Sequence, residues 1–221
     1  MRYLLVLPLA VLALAGCETR SKSPKTSPEP SFSSTTVTYP AGAPRIASDF
    51  HSHIGVNGGR RKQIHLGIDI KGKVGQKILA AADGVVLEAS TESCWGPTIA
   101  VDHGTGVDGK TIIALYGHVG DALVKAGDRI RRGQLIARLS DNQNDYHCIG
   151  GARHLHFQLG QEYRRKSDKG TNWGWGYYLK GGPKDMLNPH NYWADGPNRV
   201  TCFRKGQTFK PGTLTYPVPC L

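Results

Sequence analysis

The chain has 221 residues, enough for one domain with extensions, and 28 basic against 17 acidic residues give a formal net charge of +11. A basic surface suits nucleic acid, anionic lipid or an acidic polymer. The basic residues are scattered in pairs, without a recognition helix or an aromatic RNA-binding signature, so the sequence argues against a nucleic-acid partner.

The first segment is typical of a signal peptide. Its apolar stretch over residues 3–15 is too short to span a bilayer. The stretch ends in the sequence LAGC at residues 14–17, which resembles the signal of bacterial lipoproteins, where the cysteine is lipidated. We therefore predict that residues 1–16 are removed and that Cys17 carries a lipid anchor. An ordinary secretory signal with a chance cysteine is the alternative.

Residues 17–44 follow as a predicted lipidated tether. They are rich in Ser, Thr, Pro and charged residues and poor in aliphatic ones, a composition typical of disorder. Such a tether would let an anchored domain reach a target close to the membrane. Glu18 stands where an aspartate is usually associated with retention in the inner membrane, so we expect an outer-membrane protein that faces the periplasm.

From about Arg45 the chain consists of short β-rich runs separated by glycine. The candidate strands are His65–Ile70, Lys77–Ala81, Gly84–Ser90, Thr98–His103, Thr111–His118, Gln134–Leu139 and His154–Gly160. No segment shows a long 3.6-residue apolar period, so the predicted fold class is mainly β, a small antiparallel β-sandwich. Residues 81–86 and 124–136 resemble the hairpins of lipoyl- and biotinyl-type modules.

Four cysteines lie beyond the lipidation signal. An even number in an exported protein suggests two disulfide bonds, with three possible connectivities. Cys202 and Cys220 lie within the tail at residues 196–221, so we favour bonds Cys202–Cys220 and Cys94–Cys148. Free buried thiols are the alternative, and a metal-binding role is disfavoured because no two of them form a Cys-x-x-Cys pair.

Three polar clusters lie inside or beside apolar runs, where histidine and aspartate are scarce. They are His65 with Asp69, Tyr116 with His118, and His154 with His156. Side chains two or four positions apart on a strand point to the same face, so each pair should project together. If the three segments are neighbours, imidazoles and a carboxylate converge in the composition of a hydrolytic zinc site. These patterns do not choose between His154 and His156 as a ligand.

In chain order, the motifs H-x-x-x-D, Y-x-H and H-L-H-F resemble those of the lysostaphin and β-lytic metallopeptidase family. The turn-rich segment AGDRIRRGQLI lies between the last two, and residues 188–192 resemble the closing motif of the family. The resemblance places a metallopeptidase domain at residues 45–195. Family members are zinc endopeptidases that cut peptides of bacterial peptidoglycan, on a small antiparallel β fold with a narrow groove.

The resemblance also implies a role for each polar residue. His65, Asp69 and His156 would bind one zinc ion and leave a fourth position open for water. His118 and His154 would be the catalytic histidines, one as general acid or base and one as stabiliser of the oxyanion, in an order that stays open.

Other aromatic and histidine residues are given weaker interpretations. Tyr116 is expected either to pack or to line the groove. The same two alternatives apply to the aromatic loop at residues 173–178. The remaining histidines are expected to be structural or solvated, with His147 at the edge of the groove.

The implied function is that of a monomeric zinc metalloendopeptidase with peptidoglycan as its substrate. The alternative is a non-catalytic lipoprotein that activates another cell-wall hydrolase, since lipoproteins with this fold include such activators. A purely structural zinc site would not explain the two additional histidines. Whether the bond that is cut lies in a D-amino-acid cross-link or in a glycine bridge stays open.

Overall fold

Nine β-strands make up most of the regular structure in the computed structural model, which describes residues 36–164 and 177–221. In chain order they are β1 (Ile46–Ser48), β2 (Gly67–Lys71), β3 (Lys77–Leu79), β4 (Gly84–Glu92), β5 (Gly96–Thr105), β6 (Thr111–Gly117), β7 (Arg129–Ile130), β8 (Leu135–Arg138) and β9 (His154–Gly160). Two short 3-10 turns follow at Pro183–Asp185 and Pro189–Asn191. The described residues form no α-helix.

Seven of the strands form one antiparallel sheet in the order β1-β2-β9-β6-β5-β4-β7, and β3 pairs with β8 in a second, two-stranded sheet. The prediction of a mainly β, antiparallel fold is confirmed, and each predicted strand is present within a few residues. The strands β1 and β7 were not predicted, because runs of three and two residues are too short to show alternation. The likeness of the hairpins to lipoyl-type modules stays a prediction.

Alternation along β9 separates the core from the site. One set of its side chains packs into the main hydrophobic core: Leu155, Phe157 and Leu159. The intervening set lines a groove on the other face: His154, His156 and Gln158. Burial of each large apolar side chain contributes roughly 1.5–3 kcal/mol, so the core face determines which way the polar face points.

Residues 36–44, which the sequence analysis placed in the tether, pack on the domain. The backbone N–H of Thr38 donates to the carbonyl oxygen of Asn198 at 2.8 Å. Val37 and Tyr39 are partly buried against the main core, so apolar side chains contribute to holding this segment on the domain. The folded part of the chain therefore extends to at least residue 36, beyond the predicted boundary at residue 45.

The predicted signal peptide, the lipidation site at Cys17 and most of the tether lie outside the described residues. Within the part that is described, no helix is long and apolar enough to cross a membrane.

The tail at residues 196–221 is an integral part of the fold. Leu214 and Tyr216 are fully buried in the main core, and the N–H of Thr215 donates to the carbonyl oxygen of Ala81 at 2.8 Å. Disulfide bonds join Cys202 to Cys220 and Cys94 to Cys148, the pairing that the sequence analysis favoured. The first of these bonds closes the tail on itself.

Removal of the tail disulfide by Cys202→Ser with Cys220→Ser should lower the free energy of unfolding by about 3 kcal/mol, because the bond closes a loop of 18 residues. Urea unfolding of the mature protein measures this effect. A thiol reagent should find essentially no free thiol in the denatured, unreduced wild type. An unchanged urea midpoint, or two reactive thiols in the wild type, would contradict the bond.

Candidate active site

Two neighbouring strands place a carboxylate and an imidazole side by side. Asp69 on β2 is the register partner of His156 on β9, and Oδ1 of Asp69 lies 2.9 Å from Nδ1 of His156. Gly67 on β2 is the partner of Gln158, and a Cβ atom at Gly67 would lie only 2.5 Å from the carbonyl oxygen of Phe157. Glycine at this position therefore permits the close approach of the two strands.

His65 reaches the same point from the loop before β2. Its Nε2 lies 3.1 Å from Oδ1 of Asp69 and 3.1 Å from Nδ1 of His156. Its Nδ1 lies 3.1 Å from the carbonyl oxygen of Asp49 and 3.0 Å from the hydroxyl of Ser48. Because a carbonyl oxygen only accepts, Nδ1 carries the proton and Nε2 keeps its lone pair.

Gln158 determines the tautomer of His156. Its side chain is fully buried, and Oε1 accepts a hydrogen bond from Nε2 of His156 at 3.0 Å. The amide nitrogen of Gln158 donates to the sulfur of Met186 at 3.2 Å, which is consistent with this orientation of the amide. His156 therefore presents the lone pair of Nδ1 to Asp69 and His65.

These three atoms could hold a metal ion. They lie 2.9–3.1 Å from one another, and all three side chains are buried. A tetrahedral zinc ion with bonds of roughly 2.0–2.1 Å keeps neighbouring ligand atoms about 3.3 Å apart, so a small outward movement would accommodate it. Among the His, Cys, Asp and Glu side chains of the described residues, one group lies close enough together to share a metal ion: His65, Asp69 and His156.

Arg61 binds the second carboxylate oxygen of Asp69, with Nη2 donating to Oδ2 at 2.6 Å. This contact leaves Oδ1 to the histidines. Burial alone would raise the pKa of Asp69, but the interactions with the adjacent His156 and His65 outweigh it and hold the pKa well below its usual range. The carboxylate is therefore charged, as a metal ligand must be. In the sequence Arg61 is one of several basic residues in adjacent pairs, and nothing there indicates this partner.

His118 and His154 flank this group, and their ring centroids lie 4.9 Å apart. Nδ1 of His118 donates to the carbonyl oxygen of Trp95 at 2.8 Å, and Nδ1 of His154 donates to that of Ala152 at 2.6 Å. In both rings Nε2 keeps its lone pair. Nε2 of His154 lies 3.5 Å from Oδ1 of Asp69, farther than Nδ1 of His156, which lies at 2.9 Å.

Burial lowers the pKa of His118 well below its ordinary value, and the neighbouring His154 and His156 lower it further. Burial also lowers the pKa of His154. Both side chains therefore stay neutral at pH values where a free imidazole, with a pKa of about 6.5, becomes protonated. A neutral imidazole with an unprotonated Nε2 can accept a proton from water.

The prediction that Tyr116 and His118 project together is wrong. His118 follows the last residue of β6 and has φ of +63°, in the left-handed region, so the chain no longer alternates as a strand there. Tyr116 is fully buried in the main core, where its hydroxyl accepts from the N–H of Ala81 and lies 2.8 Å from Nε2 of His103. Tyr116 therefore packs, and it does not line the groove.

The groove over the site has a volume of about 750 Å³. Residues 55–57 and 59–64 form one wall, and Trp95 with residues 147–150 forms the other. The bond Cys94–Cys148 ties this second wall to the turn between β4 and β5. His147 lines the groove, as the sequence analysis allowed, and Trp95 is a lining residue that it missed.

The predicted aromatic loop at residues 173–178 is only partly described, since Trp173 and Trp175 lie outside the described residues. Tyr178 is buried, with its ring centroid 6.3 Å from that of Trp95. The hydroxyl of Tyr177 donates to Glu92 at 2.7 Å. For these two residues the structure favours packing over a place in the groove.

Replacement of Gln158 by leucine should weaken zinc binding by about 10- to 100-fold, because Nε2 of His156 loses the acceptor that orients the ring. The measurement is a competition titration with a chelator of known affinity. Gln158→Glu is the matched control, since it keeps an oxygen acceptor and should bind zinc nearly as tightly as the wild type. Equal zinc affinity of Gln158→Leu and wild type would show that Gln158 does not orient the ligand.

A comparison with known families matches residues 63–169 to peptidase family M23. This segment contains all five polar residues described above. Among curated proteins, the lipoprotein NlpD/LppB homolog of Pseudomonas aeruginosa is 32% identical over 83 residues, which are 37% of this chain and 26% of that protein.

Two further relatives carry functional names. The peptidoglycan DD-endopeptidase ShyC of Vibrio cholerae is 34% identical over 95 residues, which cover 43% of this chain and 20% of that protein. The murein hydrolase activator NlpD of Salmonella typhimurium is 30% identical over 140 residues, which cover 63% of this chain and 33% of that protein. The chain thus spans between a fifth and a third of the length of these relatives.

Proposed function

Since this chain belongs, through residues 63–169, to peptidase family M23, we propose that it is a zinc-dependent endopeptidase that hydrolyses peptides of bacterial peptidoglycan. The observation that carries the proposal is the convergence of three buried ligand atoms with two further imidazoles in one groove. The named relatives include an endopeptidase of peptidoglycan, which supports the substrate.

The proposed metal ligands are Nε2 of His65, Oδ1 of Asp69 and Nδ1 of His156. Two neutral imidazoles and a carboxylate match the ligands of catalytic zinc sites, which keep one position open. When bound, zinc supplies Lewis acidity, which polarises a peptide carbonyl and makes water acidic enough to react near neutral pH. We propose one zinc ion per chain and a monomer, since one chain supplies every residue of the site.

The catalytic histidines in this proposal are His118 and His154. The lone pair of Nε2 on one of them accepts a proton from the attacking water. Once it has gained a proton, Nε2 of either ring donates a hydrogen bond to the oxyanion or a proton to the departing amine, since the single N–H of each neutral ring is bound to a backbone carbonyl. Their Nδ1 bonds to the carbonyl oxygens of Trp95 and Ala152 keep both rings oriented during these steps.

Incubation of purified peptidoglycan sacculi with the mature, zinc-loaded protein tests the proposal. We expect new amino termini and soluble muropeptides, identified by mass spectrometry, and we expect a chelator to abolish their release. The masses of the fragments also show which bond is cut. Absence of new amino termini from a zinc-loaded preparation would contradict the endopeptidase.

The second candidate function is activation of another cell-wall hydrolase, which is favoured by the similarity to a murein hydrolase activator. A scaffold of this kind needs neither a set of metal ligands nor two oriented imidazoles, so the site geometry supports the enzyme. Cell-wall separation that survives loss of His118 and His154, together with inactive zinc-loaded protein, would favour the activator.

We further propose that Cys17 is lipidated and anchors the protein in the outer membrane, facing the periplasm. The lipoprotein signal at residues 14–17 and the similarity to a lipoprotein support this location. Replacement of Cys17 by serine should move the protein from the membrane fraction to the soluble periplasm, as measured by fractionation and immunoblotting. Ser23→Ala, in the same segment, should leave the distribution unchanged. A wild type found only in the soluble fraction would exclude the anchor.

A further inference from the structure

One wall of the groove carries three consecutive cations, Arg60, Arg61 and Lys62. Arg61 is paired with Asp69. Arg60 and Lys62 are exposed, and neither forms an ion pair within the described part of the chain. Two positive charges on this wall are therefore available to a ligand.

The backbone of this wall is held in place. The N–H of Arg61 donates to the carbonyl oxygen of His53 at 2.7 Å, and Arg60 pairs with Ile54 in an isolated antiparallel bridge. At its tip, the side chain of Asn57 donates to the carbonyl oxygen of Gly150 on the opposite wall at 3.4 Å. The two cations thus project from an anchored loop beside the candidate metal ligands.

No acidic side chain is found among the described residues that line the groove. Asp69 lies beneath it, with one oxygen bound by Arg61 and the other facing histidines. A bound divalent cation would add further positive charge. A cleft lined by one sign of charge concentrates ligands of the opposite sign.

We propose that Arg60 and Lys62 bind free carboxylates of the substrate, so that the groove selects an acidic stem peptide over an uncharged glycine bridge. Stem peptides of peptidoglycan carry free carboxylates, whereas a glycine bridge is a run of uncharged peptide units. A groove of about 750 Å³ has room for a short peptide segment. This inference rests on the proposed peptidoglycan function and names the chemistry that the groove recognises.

The test compares three fluorescent probes for binding to the mature, zinc-loaded protein by anisotropy. They are an uncross-linked stem peptide, the same peptide with its carboxylates amidated, and a pentaglycine capped at both ends, each checked for integrity by mass spectrometry. At low ionic strength the stem peptide should bind about 3- to 10-fold more tightly than either probe without carboxylates, as expected for two exposed ion pairs. The preference should shrink as salt rises towards about 0.5 M.

The double variant Arg60→Gln with Lys62→Gln should lose this preference and bind all three probes alike. Arg131→Gln with Lys205→Gln is the matched control, since it removes the same charge from exposed positions outside the groove and should keep the preference. If the stem peptide binds no more tightly than the probes without carboxylates, or if the control loses the preference equally, the inference is wrong.

Cleavage of sacculi by the same preparation separates this inference from the proposed enzyme. Cleavage without a preference for the acidic probe would overturn the carboxylate selection and leave the endopeptidase standing. A preference without cleavage would support the groove as a binding site for acidic peptides and overturn the enzyme.

Discussion

Replacement of His65, Asp69 or His156 by alanine is expected to remove zinc and peptide hydrolysis together. Each side chain contributes one of three atoms that lie 2.9–3.1 Å apart, so its loss leaves two ligands. The affinity for zinc should fall by more than about 100-fold, since loss of even an outer hydrogen-bond partner typically costs about 10- to 100-fold. Metal content by mass spectrometry and release of amino termini from sacculi measure the two effects.

Stability should fall as well, because removal of one buried partner leaves the others unsatisfied. Asp69→Ala illustrates this effect, since it leaves Arg61 without its carboxylate partner. His103→Ala is the control, because His103 bonds the carbonyl oxygen of Asp83 and the hydroxyl of Tyr116 and does not contact the ligands. It should lower stability and retain zinc. A ligand variant that keeps one zinc ion per chain would show that the metal is held elsewhere.

Replacement of His118 or His154 by alanine should have the opposite pattern, with zinc retained and activity lost. Neither residue belongs to the group of three that could share an ion. General acid–base help is typically worth about 100- to 10,000-fold, and the rate of peptide cleavage should fall by that factor. Zinc content should stay close to one ion per chain in both variants.

The pH dependence gives a second measurement on the same pair. Burial lowers the pKa of both His118 and His154, so the neutral form that accepts a proton persists below a pH of about 6.5. Activity should therefore be retained at pH 6.5 and decline only as the pH falls through the lowered pKa. For the variants His118→Ala and His154→Ala, loss of zinc, or activity within a few-fold of the wild type, would contradict the assignment of these residues as catalytic.

Much of the fold was predictable because it rests on local pattern. Alternation in runs such as His154–Gly160 predicts strands, and the structure has a strand over the same residues. The two missed strands, Ile46–Ser48 and Arg129–Ile130, are short pieces whose pairing depends on partners distant in the chain. Residues 36–44 were misplaced for a related reason, since composition suggests disorder and only the packing of Val37 and Tyr39 reveals order.

Several features of the site follow from the order of residues alone. A period of two places His154 and His156 on one face of a strand, and His65 and Asp69 do meet, within 3.1 Å. The same period could have identified Gln158, two positions after His156. The pairing of cysteines also followed from their number and positions. Except for the cysteines, these residues are near neighbours in the chain, where covalent geometry limits the possibilities.

Other features depend on residues that the fold brings together. The register of β2 against β9 sets His156 directly opposite Asp69, and so distinguishes it from His154, which shares its face. His118, just after β6, has a left-handed backbone conformation that turns its side chain into the groove, while Tyr116 stays in the core. Arg61 also meets its partner, Asp69, only in the folded structure, because Asp69 lies on β2 and Arg61 lies outside that strand. Periodicity specifies a face, whereas depth, partner and charge environment depend on contacts between distant segments, which form only when the whole sheet assembles.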